Sequence, residues 1–179
     1  TVNACEPDRV VVAYTPEYMD NGLTAASQLR SFVEDRTGLP VTMASDAVSK
    51  ALSALGARRI GLVTPFLPAA NANVTSYFAA NDISVVNEAG FSSAQKGRTY
   101  AARISEAEVS DAFARVDSPE VEALVQVGTA LVCASFVDAL EARHGKPVIA
   151  VNSATYWLAL REHGITDRLD GYGMLLASH

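Results

Sequence analysis

Two short stretches of the 179-residue chain carry side chains able to do chemistry. The first reads Thr15-Pro16-Glu17-Tyr18-Met19-Asp20-Asn21-Gly22. Pro16, Asn21 and Gly22 mark it as a loop. Glu17 is a candidate general base, provided burial raises its pKa toward neutrality. Thr15 stands beside it as the second catalytic candidate. Tyr18 and Asp20 could reach over a cleft, Tyr18 as a substrate contact. The competing reading of this stretch is a solvated surface loop. The second stretch, Gly128-Thr129-Ala130, lies where an apolar run of strand length gives way to a helical pattern. Free backbone N–H groups and the helix dipole at such a junction favour an anion. Thr129 adds a hydroxyl, so Gly128, Thr129 and Ala130 are candidate carboxylate-binding residues. The alternative is a plain tight turn with a capping threonine. Arg98, in the polar run 92–99, could clamp a carboxylate bidentately or be an ordinary surface arginine.

Other chemistries find little support. Two cysteines, Cys5 and Cys133, are too few for a secreted disulfide scaffold, and each reads as a small buried hydrophobe. His144 and His163 close helical patterns before Gly145 and Gly164, and His179 is terminal; their spacing makes no metal site. Gly171-Tyr172-Gly173 lacks the third glycine and the following helix of a nucleotide fingerprint, so no cofactor is expected. Hydrophobic residues make up 49% and charged residues 19%, a globular composition. A net charge of −6 without a basic stripe argues against nucleic acid. No apolar run approaches the ~20 residues that span a bilayer, so no membrane partner is expected. The chain reads as cytoplasmic. It opens on Thr1 rather than Met, which reads as a native beginning removed.

The elements that must position these residues alternate along the chain. Apolar runs rich in Val and Ile predict strands over 9–14, 40–44, 59–64, 83–87, 122–127 and 147–152, with a last short one over 171–175. Helical patterns cover 23–37, 46–55, 68–81, 105–116, 130–144 and 154–163. Ser105 and Glu108 form the signature of a capping box, and Gly56 is a stop signal. Such alternation implies an α/β fold whose mostly parallel sheets are covered on both faces.

A weak repeat runs through this order. Gly38-Leu39-Pro40-Val41 returns as Gly145-Lys146-Pro147-Val148, and Ser45, Ala51-Leu52 and Gly56 return as Ser153, Ala159-Leu160 and Gly164. Any two strand–helix units look alike to some degree; the sharper reading is a duplicated unit building two pseudo-symmetric Rossmann-like lobes. Ligands in open α/β sheets sit beyond the carboxyl ends of the strands, so a site is expected between the two sets of strand tips.

Several motifs then resemble one family. Ala57-Arg58-Arg59-Ile60-Gly61-Leu62-Val63-Thr64-Pro65 is similar to the central strand of the maleate isomerase and arylmalonate decarboxylase branch of the aspartate/glutamate racemase superfamily. Gly145-Lys146-Pro147-Val148, Asn152-Ser153-Ala154-Thr155-Tyr156-Trp157 and Gly171-Tyr172-Gly173 resemble its C-terminal half. The resemblance implies one lobe that includes 1–56, with a strand–helix unit placed before it, a second lobe over 57–152, and a return of 153–179 to the first. It implies isomerase or decarboxylase chemistry on small carboxylic acids and a homodimer or higher homo-oligomer.

The family's chemistry, as the resemblance implies it, uses a cysteine at one or both strand tips. Here the first tip reads Thr15-Pro16-Glu17-Tyr18, and Gly128 stands at the second cysteine position. Phe66 replaces a tyrosine after the Thr-Pro pair, Arg98 an asparagine, and Met174 an arginine. Phe66 becomes a candidate substrate contact without a hydroxyl to donate. The expected function is therefore that of a superfamily member acting on a small mono- or dicarboxylic acid by a route without the family cysteines. The alternative is a non-catalytic relative that binds a small acid or a partner.

Overall fold

The computed structural model describes residues 2–97 and 99–179. Strand β1 (Val10–Val12), helix α1 (Gly22–Thr37), β2 (Val41–Met43) and α2 (Ala44–Leu55) come first. There follow β3 (Arg59–Thr64), α3 (Pro68–Ala79), β4 (Ser84–Gly90), α4 (Glu106–Val116), β5 (Ala123–Gln126), α5 (Val137–His144), β6 (Val148–Ala150), α6 (Val151–Glu162) and α7 (Met174–Ser178). Every strand pairing is parallel. β1 pairs with β2, and the larger sheet has the order β4-β3-β5-β6.

Burial explains the larger sheet. Along β3, Ile60 and Leu62 face one core while Val63 faces the other; along β5, Val125 and Leu124 divide in the same way. This is period-2 alternation between two buried faces, which is why the sequence shows unbroken apolar runs. One core holds the inner faces of α2, α3, α6 and α7, the other those of α4 and α5. The repeated segments fold alike, as β1-α1-β2-α2 and β5-α5-β6-α6, and α2 packs directly on α6. Gly38 and Gly145 end α1 and α5 in the left-handed region, with φ of 69° and 64°. The Ser105–Glu108 capping box forms in full at the start of α4.

The strand predicted over 147–152 ends at Ala150, because Val151 and Asn152 already belong to α6. The structure differs from the sequence reading in four further places. The first strand shrinks from 9–14 to Val10–Val12, and Val11 is exposed rather than buried, because β1 pairs with β2 alone among the described residues. No single helix covers 130–144. The chain turns after Gly128, passes through a three-ten turn at Ala134–Phe136 and becomes helical only at Val137. Leu131 and Cys133 are both buried two residues apart, which one helix face cannot achieve. Residues 171–175 form no strand. Gly171 and Gly173 take φ of 91° and 89°, the Gly173 N–H donates to Asp138, and a short helix follows that buries Leu175 and Leu176. The Gly171-Tyr172-Gly173 segment thus does precede a helix, though one of only 5 residues. Finally, β4 runs past residue 87 to Gly90, paired with β3 on both sides of a bulge at Val86.

Candidate functional site

The carboxyl ends of β3 and β5 and the chain beyond β4 meet the tip that follows β1. Tyr18, Phe66 and Ala130 line one cavity of about 500 Å³, together with Pro65, Ser93 and Ala101. Three of the sequence candidates therefore come together. Tyr18 stacks on Phe66 at 5.2 Å between ring centroids. The Tyr18 hydroxyl lies 2.7 Å from that of Tyr14, and the Tyr14 hydroxyl is pushed up to about 12, first by this hydrogen bond and then by burial. On α3, Asn73 donates to the Tyr18 carbonyl at 3.0 Å and holds the tip down.

The Gly128 turn forms the opposite wall. Gly128 has φ of 105°, and a Cβ there would lie 2.5 Å from Pro65 Cδ. The position where the resemblance sets a cysteine is thus shaped to exclude any side chain. The Gly128 carbonyl accepts from Gln126 Nε2 at 2.7 Å and from the Leu131 N–H at 3.0 Å. The Thr129 carbonyl accepts from Asn152 Nδ2 at 3.1 Å. With these carbonyls satisfied by the protein, the Thr129 and Ala130 N–H groups meet no acceptor among the described residues. The turn keeps its donors, but the helix dipole expected behind it is absent, since α5 begins only at Val137.

Glu17 is placed differently. It sits in a three-ten turn, Pro16–Tyr18, and is completely buried, as is most of Thr15 at 5% exposure. The solvated-loop reading fails for these two residues and holds for Met19 and Asp20. Neither Glu17 oxygen has a hydrogen-bond partner, and burial raises its pKa to about 7. Its own backbone N–H, near the carboxyl but outside hydrogen-bond geometry, works against this shift, and the Asp46 carboxylate adds to it. The Tyr77 hydroxyl, on α3, is raised to about 12 by burial and then by the Glu17 charge. The turn that carries Glu17 packs on α1 and α3, and Glu17 is not among the residues lining the Phe66 cavity. Arg98 lies outside the described residues.

Neither cysteine is among the residues that line this cavity. Cys133 is buried as expected, and its thiol is pushed up to about 12 by burial; Cys5, read from the sequence as buried, is instead exposed ahead of β1. No group of three metal-binding side chains occurs among the described residues, and no described helix is long and apolar enough to cross a membrane. Sequence reasoning passed over Ser93 and Gln126. Ser93 is buried in the cavity wall with its hydroxyl on the Pro65 carbonyl at 3.0 Å. Its signal was faint, one serine in a polar run. Gln126 was legible as a lone amide inside an apolar strand, because a buried amide there needs a nearby partner.

Parallel strands covered on both faces, with a cavity at their carboxyl ends, define a Rossmann-like α/β protein, a class in which ligands sit at the strand tips. Residues 18–176 match the sequence profile of the family described as Arylmalonate decarboxylase, and the chain belongs to that family. An arylmalonate decarboxylase from Bordetella bronchiseptica is 30% identical over 146 residues, covering 80% of this chain and 60% of that protein. The chain therefore spans less than two thirds of that relative's length.

Solved structures give the same fold. A maleate cis-trans isomerase from Nocardia farcinica with a covalently bound succinylcysteine intermediate superposes with a TM-score of 0.89 at 22% identity, over 99% of this chain and 74% of that one. Arylmalonate decarboxylase in a liganded form gives 0.88 at 24%, over 99% and 76%. The Pseudomonas putida maleate isomerase with maleate gives 0.84 at 23%, over 98% and 72%. The expected branch of the racemase superfamily is thereby established.

Proposed function

We propose that this protein binds a small carboxylic acid in the Phe66 cavity, with a carboxylate on the unpartnered Thr129 and Ala130 N–H groups. We further propose that proton transfer to or from that acid uses Glu17, positioned by the tip that carries Thr15, and no cysteine. The observation that carries the reading is the cavity itself. It joins Ala130, whose N–H meets no acceptor among the described residues and which follows Thr129 in the same turn, to an apolar, aromatic wall made by Tyr18 and Phe66. Backbone donors aimed at one point bind a carboxylate and stabilise charge that develops beside it. A carboxyl with a pKa near 7 suits proton transfer at neutral pH. The named activities of the relatives, arylmalonate decarboxylation and maleate isomerisation, support a small acid as ligand. The reading assigns no cofactor.

One observation favours a second reading. Glu17 lies behind the cavity wall rather than in it, as expected of a relative that binds an acid without turning it over. Two measurements separate the readings. A panel of small mono- and dicarboxylic acids, maleate and phenylmalonate included, should raise the melting temperature under both; no shift across the panel refutes the site. Glu17→Gln should abolish isomerisation or decarboxylation of any acid that the unmodified chain converts; retained turnover refutes Glu17 as the base.

A further inference from the structure

A second cavity, of about 410 Å³, lies against the first two turns of α6, beyond β6. Asn152, Ser153 and Tyr156 of α6 line it, with Leu169, Tyr172 and Leu176 opposite. Its size falls in the range of small-molecule pockets, roughly 300–1,000 Å³. The cavity opens at the first turn of α6, a helix of 12 residues whose N-cap, Ala150, provides no side-chain hydrogen bond. The first N–H groups of such a helix point outward without partners and carry the positive end of the dipole. Ser153 is only 7% exposed, and its hydroxyl meets no hydrogen-bond partner. A buried hydroxyl without a partner is costly, and a ligand acceptor would relieve it. The remaining walls are apolar or aromatic, with Tyr156 and Tyr172 55% and 48% exposed at the rim.

The internal repeat sharpens the contrast. Ser45 of α2 corresponds to Ser153 of α6, and its hydroxyl is likewise buried and unpartnered. In the first half, the protein brings its own carboxyl to this region. The Tyr77 hydroxyl donates to the Ser45 carbonyl at 3.4 Å and feels the charge of Glu17, which is itself raised by Asp46 next in sequence to Ser45. In the second half, the corresponding helix start faces open space.

We propose that this second cavity is a binding site for a small monocarboxylic acid with an aromatic or branched apolar body. The carboxylate meets the α6 N–H groups and the Ser153 hydroxyl, and the body lies against Leu169, Leu176, Tyr156 and Tyr172. No lysine or arginine lines the cavity, so a single negative charge is the most that it accommodates. The site stands independently of the acid site proposed at Phe66. Asn152 links the two, since it lines the second cavity and donates to Thr129 of the Gly128 turn.

The test is titration of the intact chain with phenylacetate, followed by amide chemical shifts and calorimetry, with succinate as the dianionic comparator. Phenylacetate should shift the amides of residues 152–156 and 172–176, and bind at least tenfold tighter than succinate as judged there. Ser153→Ala should weaken phenylacetate roughly ten- to a hundredfold, the loss of one hydrogen bond to a charged group. Its melting temperature should be unchanged or raised, because it removes an unpaired buried hydroxyl. Tyr156→Ala, at an exposed rim position, should weaken binding severalfold. Shifts confined to Tyr18, Phe66 and Ala130 would overturn the proposal while leaving the first site intact. So would affinities unaltered by both substitutions, or no binding at all.

Discussion

Glu17 makes the stability of this protein depend on pH in the direction opposite to most carboxylates. Its pKa rises from 4.5 in the unfolded chain to about 7 in the folded one, mainly through burial. The folded state therefore holds a proton that the unfolded state releases. Stability is full below pH 4.5, falls as pH rises through 7, and is level above that. At about 1.4 kcal/mol for each pKa unit, the loss is on the order of 3 kcal/mol, a large part of a typical domain's 5–15 kcal/mol. Glu17→Gln keeps the shape and removes the ionisation. Urea unfolding of both proteins at intervals from pH 4 to 9 reads the difference. The variant should match the parent near pH 4 and exceed it by about 3 kcal/mol at pH 8, with the gap opening between pH 5 and 7. The other carboxylates, such as Asp117 held low by Lys146 and His144, contribute equally to both proteins and cancel. Parallel curves, or a variant that is less stable at pH 8, would show that the carboxyl has partners or water in the folded state.

Two further expectations concern the strand tips and the thiols. Gly128→Ala places a methyl group against Pro65 and a side chain at φ of 105°, and should cost about 2–5 kcal/mol in denaturant unfolding. A loss below about 0.5 kcal/mol would mean that the turn relaxes freely and that a cysteine is tolerated there. A thiol-specific reagent should label Cys5 rapidly in the folded protein and reach Cys133 only after unfolding. Mass spectrometry of the labelled peptides decides this, and fast native labelling of Cys133 would refute its burial.

The parts of the fold that the sequence revealed are those where local pattern and burial agree. β3, β5 and β6 are buried on both faces, so their apolar runs are continuous and easily seen. Ser105–Glu108, Gly56 and Gly145 act within a few residues of themselves, and their signals survive in any tertiary context. Long-range packing set the rest. A glutamate among Pro, Asp, Asn and Gly reads as solvated, and only the approach of α1 and α3 buries Glu17. The stretch from Leu131 to Phe136 carries enough apolar residues for a helix, yet their spacing serves a non-helical path across the second core. The site was legible as two tips, in Tyr18 and the Gly128 turn. Ser93 and Ala101 join them only because β4 runs to Gly90 and delivers the following chain to the same cavity.

The packing of α2 against α6 bears on how the molecule unfolds. The apolar face of α2, made by Ala44, Ala47, Val48, Ala51 and Leu52, belongs to the core beneath the four-stranded sheet, with Ala154, Trp157 and Leu158 of α6. The strands that precede α2 form a two-stranded sheet, too small to persist alone. Residues 2–55 thus borrow their core from the remainder, and the chain is a single cooperative unit despite its repeated architecture. Severing the backbone between Gly56 and Ala57 would release a disordered N-terminal piece and leave an exposed α6 face on the other. The two halves are similar in element order, and the shared seam makes neither of them a separate foldon.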